Sequence, residues 1–258
     1  MILDEVKEAY VRDLLAKGSR ADGRQLLQYR KVKVTKGAYP NAEGSALAEI
    51  GDTKVAAGVK FDAAIPFPDR PQEGVFMVNS EFPILAHPAF EPGPPNENSI
   101  ELARVVDRGI RSAEVIDLKS LVLEEGKVLG IFVDLYVLDH SGNLIDCAAL
   151  AAMAALADAK VPKYDAETKK LLRDQPVGAL PIAHKIVTCS FEKIGSKILA
   201  DGTDEEEIAS DGRYTIATAD SKTICATQKS GAAGFTRQEI VKMMDIALEK
   251  GEELRKLI

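Results

Sequence analysis

Strand patterns followed by a helix occur twice along this chain of 258 residues, and the repetition leaves few architectures open. Each half has a short turn with a central aspartate between two strand patterns. The turns are Gly51-Asp52-Thr53 in the first half and Ala219-Asp220-Ser221 in the second. Strands joined by tight turns and followed by helices are typical of α+β proteins. We therefore predict an α+β fold with a pseudo-duplicated core.

Residue periodicity places the elements of both halves. Strand patterns cover residues 31–34, 44–50, 54–61 and 128–138, and then 184–191, 197–199, 214–218 and 223–227. Helix patterns cover residues 2–17, 98–113 and 145–159, and a last helix follows the capping-box pair Thr236 and Glu239. Residues 161–181 contain three prolines and are predicted to connect the halves. The predicted units are thus residues 1–160, with the N-terminal helix, and residues 161–258.

The helix over residues 98–113 carries three arginines on one face. At 100° per residue, Arg104, Arg108 and Arg111 fall within about 60° of one another, opposite an apolar face. Residues one turn apart on a helix are separated by roughly 5–6 Å, and the planar guanidinium group of arginine suits phosphate oxygens. This pattern predicts a binding site for a nucleic-acid backbone. The alternative is a solvated face, on which Glu101 and Asp107 pair with the arginines.

The overall charge argues against a generally basic nucleic-acid-binding protein. The net charge is −7 and the pI is about 5.2, which leaves room only for a local cationic site. Residues 201–211 contain six acidic residues and no basic residue, a run that predicts a solvated loop.

Cysteine usage and the N-terminus indicate the compartment. The three cysteines lie far apart, in no zinc-ligand spacing, and are typical of buried reduced thiols. The first ten residues are charged from the fourth onward, unlike a signal peptide. We therefore expect a soluble cytoplasmic protein that binds no membrane and no metal.

Four segments of the chain match motifs of one protein family. They are Arg20-Ala21-Asp22-Gly23-Arg24, Glu101 to Arg108, Asp134 to Asp139 with Ser141-Gly142-Asn143, and residues 201–213. Together they resemble the RNase PH superfamily of phosphorolytic 3′-to-5′ exoribonucleases, and the resemblance covers essentially the whole chain. The first segment resembles the RxDGR signature, the second the helix that faces RNA, the third the phosphate-loop region and the fourth the later acidic region. It implies an RNase PH-like fold of two βαβα-type halves, similar to ribosomal protein S5 domain 2.

Within this superfamily the chain is most similar to the larger, non-catalytic ring subunits of archaeal exosomes. That resemblance implies a catalytic sister subunit, a hexameric ring built as a trimer of heterodimers, RNA-binding cap proteins and single-stranded RNA. It implies no cofactor on this chain and makes inorganic phosphate the co-substrate of the sister subunit. The RNA-binding residues would be Arg104, Arg108 and Arg111, and no residue would be catalytic.

Two departures from active members bear on catalysis. Active members hold phosphate with a Gly-Ser/Thr-Arg loop, whereas Ser141-Gly142-Asn143 has no cation and no Arg or Lys lies between Lys127 and Lys160. Asp139 and Asp146 lie beside the loop in sequence, and like charges about 4 Å apart repel by about 4 kcal/mol at an effective dielectric of about 20.

The second departure concerns the acidic residue that active members carry in an Ala-Asp-Met segment. It corresponds here to a position near Gly212 or Arg213, although a slip of one or two residues would bring Asp211 there. We predict a non-catalytic subunit that binds RNA and supports a ring. The alternatives are an autonomous phosphate-dependent exoribonuclease and a purely structural scaffold whose arginines pair across a subunit interface.

Overall fold

The computed structural model describes residues 2–258, and its elements follow the predicted alternation of strands and helices. The helices are α1 (Ile2–Ala16), α2 (Glu97–Ser112), α3 (Leu144–Asp158), α4 (Asp204–Ile208) and α5 (Arg237–Arg255). The strands are β1 (Val32–Lys36), β2 (Gly44–Ile50), β3 (Thr53–Ala64), β4 (Val75–Glu81), β5 (Val122–Glu124), β6 (Lys127–Asp139), β7 (Lys160–Asp165), β8 (Lys170–Ala179), β9 (Val187–Ile194), β10 (Lys197–Ala200), β11 (Gly212–Thr218) and β12 (Ile224–Gly231). No helix within residues 2–258 is long and apolar enough to cross a membrane.

The first sheet has the order β1-β2-β3-β6-β4, with β5 also paired to β6. Strand β4 runs parallel to β6, and the other pairs are antiparallel. The predicted hairpin joins β2 to β3, with Ile50 opposite Thr53 and Gly51 at φ +57°. A positive φ suits glycine because it has no Cβ. The turn and both strands are therefore confirmed.

Helix α3 is the centre of the core. It packs against β2 and β3 of the first sheet and β9 of the second, and its residues 144–156 are all buried. Its alanines allow close approach: a Cβ added at Gly44 would lie 2.4 Å from the carbonyl oxygen of Ala155. One hydrophobic core consequently spans both halves of the chain.

The second sheet, in the order β10-β9-β11-β12, is antiparallel throughout. Helix α5 covers it, and its N-cap is Thr236. The Thr236 hydroxyl accepts from the Glu239 amide, while the Glu239 carboxylate accepts from the Thr236 amide. The predicted capping box is confirmed. The α+β class is also confirmed.

The proline-containing segment 161–181 is not only a connection, which corrects the sequence prediction. Strands β7 and β8 form a separate antiparallel hairpin in which Pro162 lies opposite Pro176. The register shifts on both sides of Pro162, and β8 is largely exposed. An exposed two-stranded ladder tolerates prolines because an edge position does not require every N–H. The division into residues 1–160 and 161–258 stays a prediction.

The acidic run is not a solvated loop, which corrects a second prediction. Residues 204–208 form α4, and both Asp201 and Glu206 are buried. The Glu206 carboxylate pairs with Arg20, the first arginine of the RxDGR segment, at 2.5 Å between Nη2 and Oε2. Arg20 also donates to the carbonyl oxygens of Ala200 and Asp201. The run therefore binds the N-terminal arginines inside the protein.

Asp201 joins three segments distant in sequence. Its carboxylate accepts from Arg24 at 2.8 Å, from the backbone and side chain of Arg30 at 2.7–3.0 Å, and from Asn143 at 2.8 Å. Burial works to raise the pKa of Asp201, but the hydrogen bonds and charge of Arg30 outweigh it and hold that pKa below its ordinary value. This contribution to stability is present above the unfolded carboxyl pKa and is lost as the pH falls through the folded one.

Glu206→Gln should lower the free energy of unfolding by about 3–5 kcal/mol, because Arg20 would stay buried and charged without its carboxylate. Urea unfolding followed by circular dichroism measures the change. The control is Glu205→Gln on the same helix, which is half-buried and should change the free energy by no more than about 0.5 kcal/mol. Equal urea midpoints of unfolding for Glu206→Gln and Glu205→Gln would contradict a stabilising role for the buried pair of Arg20 and Glu206.

Candidate nucleic-acid interface

Helix α2 presents the arginine face that the sequence predicts. Its N-cap is Asn96, whose side chain accepts from the Ser99 amide at 2.9 Å, and it ends at Ser112 before Ala113. Leu102, Val106 and Ile110 bury the opposite face against the core. The burial of this apolar stripe holds the polar face outward.

Arg104 and Arg108 are exposed and keep their charge unneutralised. Among residues 2–258, no carboxylate lies within ion-pair distance of either guanidinium group. Arg108 donates to the side-chain oxygen of Gln228 on β12, which is neutral. The alternative of local acidic partners on the helix therefore does not describe these two residues.

Arg111 differs from its two neighbours. Its Nε pairs with Asp107 at 2.8 Å, one turn earlier, and its Nη2 donates to the carbonyl oxygen of Phe76 on β4. The guanidinium also lies over the Phe76 ring, 5.4 Å from the centroid. Arg111 thus fastens α2 to β4 and contributes less free charge than Arg104 or Arg108.

An open groove of about 720 Å³ runs along this face of α2. All three arginines line it, together with Met77 on β4 and Arg70 in the segment between β3 and β4. Sequence reasoning missed Arg70, because it lies in a proline-containing segment with no periodicity and 34 residues before Arg104. The packing of α2 on β4, the strand that follows Arg70, brings it to the groove.

The loop Ser141-Gly142-Asn143 is closed by internal contacts. Arg30 donates to the carbonyl oxygens of Ser141 at 2.7 Å and Gly142 at 3.1 Å. Gly142 has φ +89°, and an added Cβ would lie 2.4 Å from the carbonyl oxygen of Gly202. The loop therefore packs directly against the segment that leads into α4.

A carboxylate already lies at the N-terminus of α3. Glu207 Oε1 accepts from the backbone amide of Asn143 at 2.8 Å, and it pairs with Arg213 Nη2 at 2.7 Å. Arg213 pairs with Glu192 as well. Burial works to lower the pKa of Arg213, but the charges of Glu207 and Glu192 keep it above its ordinary value. A helix N-terminus attracts anions, and here a side chain of the same protein is that anion.

The loop itself contains no cation, as the sequence shows, but two cations from elsewhere in the chain contact it or its carboxylate partner. Arg30 and Arg213 reach it from segments distant in sequence. Neither is free, because Asp201 neutralises Arg30 while Glu192 and Glu207 neutralise Arg213. The missing loop arginine is therefore replaced by cations that are fully engaged in ion pairs.

The three aspartates considered near this site have other partners. Asp146 is fully buried and accepts from Tyr29, Thr188 and Ser190; burial raises its pKa. Asp139 is near Lys54 at 3.4 Å. Asp211, the residue a register slip would bring in, pairs with Arg12 of α1 at 2.8 Å. Asp146 is thus a structural residue and not a carboxylate that faces a ligand.

Comparison with known proteins decides the family. Residues 28–162 match the 3′ exoribonuclease family, domain 1, and residues 184–250 match domain 2 of the same family. The chain belongs to the RNase PH family. The resemblance inferred from RxDGR and the arginine helix is confirmed.

Relatives within the RNase PH family extend over the full chain. Proteins named exosome complex component Rrp42 are 45% identical in Archaeoglobus fulgidus and 43% identical in Thermococcus gammatolerans, each covering 98% of this chain and 96% of the relative. A structure of the Archaeoglobus fulgidus exosome with RNA bound to the active site matches with a TM-score of 0.91 at 43% identity, covering 99% of both chains. An archaeal exosome core matches with a TM-score of 0.87 at 41% identity, covering 99% of this chain and 97% of that one.

Inorganic phosphate at constant ionic strength should not raise the thermal midpoint of the wild-type chain, because Glu207 occupies the amide and guanidinium donors. In Glu207→Ala the backbone amide of Asn143 and the Nη2 of Arg213 are released, while the Nε of Arg213 stays paired with Glu192. Phosphate should then raise the midpoint in proportion to ln(1 + [phosphate]/Kd). Differential scanning fluorimetry measures both. Glu205→Ala, on the same helix, should behave as the wild type. A phosphate-dependent rise in the wild-type chain would show that the site is open.

Proposed function

We propose that this chain is a non-catalytic, RNA-binding and structural subunit of an archaeal exosome core. It would support 3′-to-5′ phosphorolysis of RNA performed by a sister subunit. The observation that carries the proposal is the contrast between two surfaces. Arg104 and Arg108 offer unpaired charge along a groove, whereas every cation at the loop of residues 141–143 has a carboxylate partner.

The absence of catalysis follows from the chemistry of the closed loop. Phosphorolysis requires a phosphate ion next to the 3′ end of the RNA, held by cationic or amide donors. In this chain the Asn143 amide and Arg213 are bound to Glu207, and Arg30 is bound to Asp201. Phosphate would have to displace an intramolecular carboxylate from each. Inorganic phosphate is accordingly assigned to the sister subunit.

The edge of the first sheet supports assembly into a ring. Strand β4 is an edge strand, and Ile84 and Leu85 that follow it are 59% and 75% exposed. Unpaired strand edges and clustered exposed apolar side chains mark surfaces that other chains cover. We assign this surface to a sister subunit in a hexameric trimer of heterodimers, with RNA-binding cap proteins on the ring. The free thiols favour the cytoplasm.

The isolated chain should release no nucleoside diphosphates from RNA in the presence of phosphate, because its phosphate donors are occupied. Co-expression with the sister subunit should give a complex of about six chains and restore phosphate-dependent degradation. Thin-layer chromatography of the products and size exclusion with light scattering measure the two results. Degradation by the pure chain would establish the alternative of an autonomous exoribonuclease.

Arg104→Glu combined with Arg108→Glu should weaken the binding of single-stranded RNA to the assembled ring. Each lost phosphate contact removes about 0.7 from the slope of log affinity against log salt, so two contacts should flatten the slope by about 1.4. The loss should be nearly independent of RNA sequence, because phosphate contacts read no bases. Fluorescence anisotropy at several salt concentrations measures the slope.

The matched control for this variant is Lys222→Glu with Arg237→Glu, which makes the same charge change on exposed residues outside the groove. The control should retain most of the wild-type salt slope. A wild-type slope in an intact ring of the groove variant would show that the arginines do not bind RNA. A ring that dissociates would favour the structural scaffold, with arginines that pair across a subunit interface.

A further inference from the structure

We propose that Arg70 forms the second wall of the groove along α2 and contacts an RNA phosphate opposite Arg104 and Arg108. The inference rests on the proposed function and adds a binding residue to it. Arg70 lies in the segment that joins β3 to β4, and it lines the groove together with the three arginines of α2. Because four arginines then surround one groove, the strand would be held from two sides.

The segment that carries Arg70 is shaped by its own backbone. The Arg70 amide donates to the carbonyl oxygen of Phe67 at 2.9 Å, and the Arg70 carbonyl oxygen accepts from the Glu73 amide at 3.2 Å. Two successive turns therefore meet at Arg70. They set the position of its Cα without using the guanidinium group, which is left for an external partner.

The guanidinium group of Arg70 has only weak internal partners. The nearest carboxylate oxygens belong to Asp69 at 3.8 Å and Glu73 at 3.9 Å, both longer than a hydrogen bond. The side chain is 59% exposed. Solvent-exposed ion pairs of this geometry contribute little to stability. A phosphate group of RNA that offers shorter contacts can therefore replace them.

The charge balance of the groove favours a polyanion. Four arginines line it against a single carboxylate, Asp107, which is already paired with Arg111. The whole chain has a net charge of −7, so the excess of positive charge in the groove is opposite in sign to the charge of the protein as a whole. Closely spaced guanidinium groups on two walls suit the repeated phosphates of an RNA backbone.

The floor of the groove favours a single strand. Phe67 and Met77 line it and are 50% and 41% exposed, which provides apolar surface between the cationic walls. Unpaired bases have apolar faces that can lie on such a surface, whereas bases in a duplex are stacked inside.

Arg70→Ala in the ring assembled with the sister subunit should flatten the salt slope for single-stranded RNA by about 0.7, the value for one phosphate contact. Arg70→Lys keeps the charge and should retain a slope near that of the wild type. The control is Arg237→Ala, an exposed arginine at the start of α5 outside the groove, which should have the wild-type slope. Fluorescence anisotropy across salt concentrations, with size exclusion of each ring, gives both readouts.

The outcomes separate this inference from the proposed function. If Arg70→Ala matches Arg237→Ala while the Arg104 and Arg108 double variant flattens the slope, Arg70 is not a phosphate contact and the proposed function stands. If neither the Arg70 variant nor the double variant changes the slope, both proposals fail. If Arg70→Ala breaks the ring, Arg70 contacts an acidic surface of a protein partner, and the inference is overturned.

Discussion

The buried carboxylate of Asp201 is the contact on which the arrangement of this protein depends. It binds Arg24 and Arg30 from the segment after α1, and Asn143 at the start of α3, through hydrogen bonds of 2.7–3.0 Å. A fully buried charge is costly unless it is paired and hydrogen-bonded, so these segments must converge wherever Asp201 is buried. The adjacent pair of Arg20 and Glu206 extends the same network. RxDGR is thereby a structural element in this chain.

The same network occupies the hydrogen-bond donors at the N-terminus of α3. Once Arg30 is bound to Asp201, α4 is placed so that Glu207 reaches the Asn143 amide and Arg213. The favourable field at the N-terminus of α3 is then used for stability and not for a ligand. Under the proposed function, these occupied donors would add to the effect of the missing loop arginine.

The arginines of α2 show the opposite arrangement. The apolar face of this helix is buried against the core, so Arg104 and Arg108 on the opposite face are exposed. Their charge stays available because no carboxylate is within reach in residues 2–258. Arg111, one turn later, forms an ion pair with Asp107 and donates a hydrogen bond to the carbonyl oxygen of Phe76. These contacts hold α2 against β4. On one face of α2, Arg111 thus anchors the helix while Arg104 and Arg108 keep their charge unpaired.

The sequence by itself determined the elements that local periodicity controls: the hairpin of β2 and β3, the amphipathic α2, the alanine-rich α3 and the capped start of α5. It failed for the hairpin of β7 and β8, whose prolines resemble a connection, and for α4, whose acidic residues resemble a solvated loop. Only the tertiary structure decided which charges are free. Ion pairing depends on which distant residues come within about 3 Å, and residue spacing carries no information on that. Glu207 and Asn143, 64 residues apart, meet only after both sheets pack on α3.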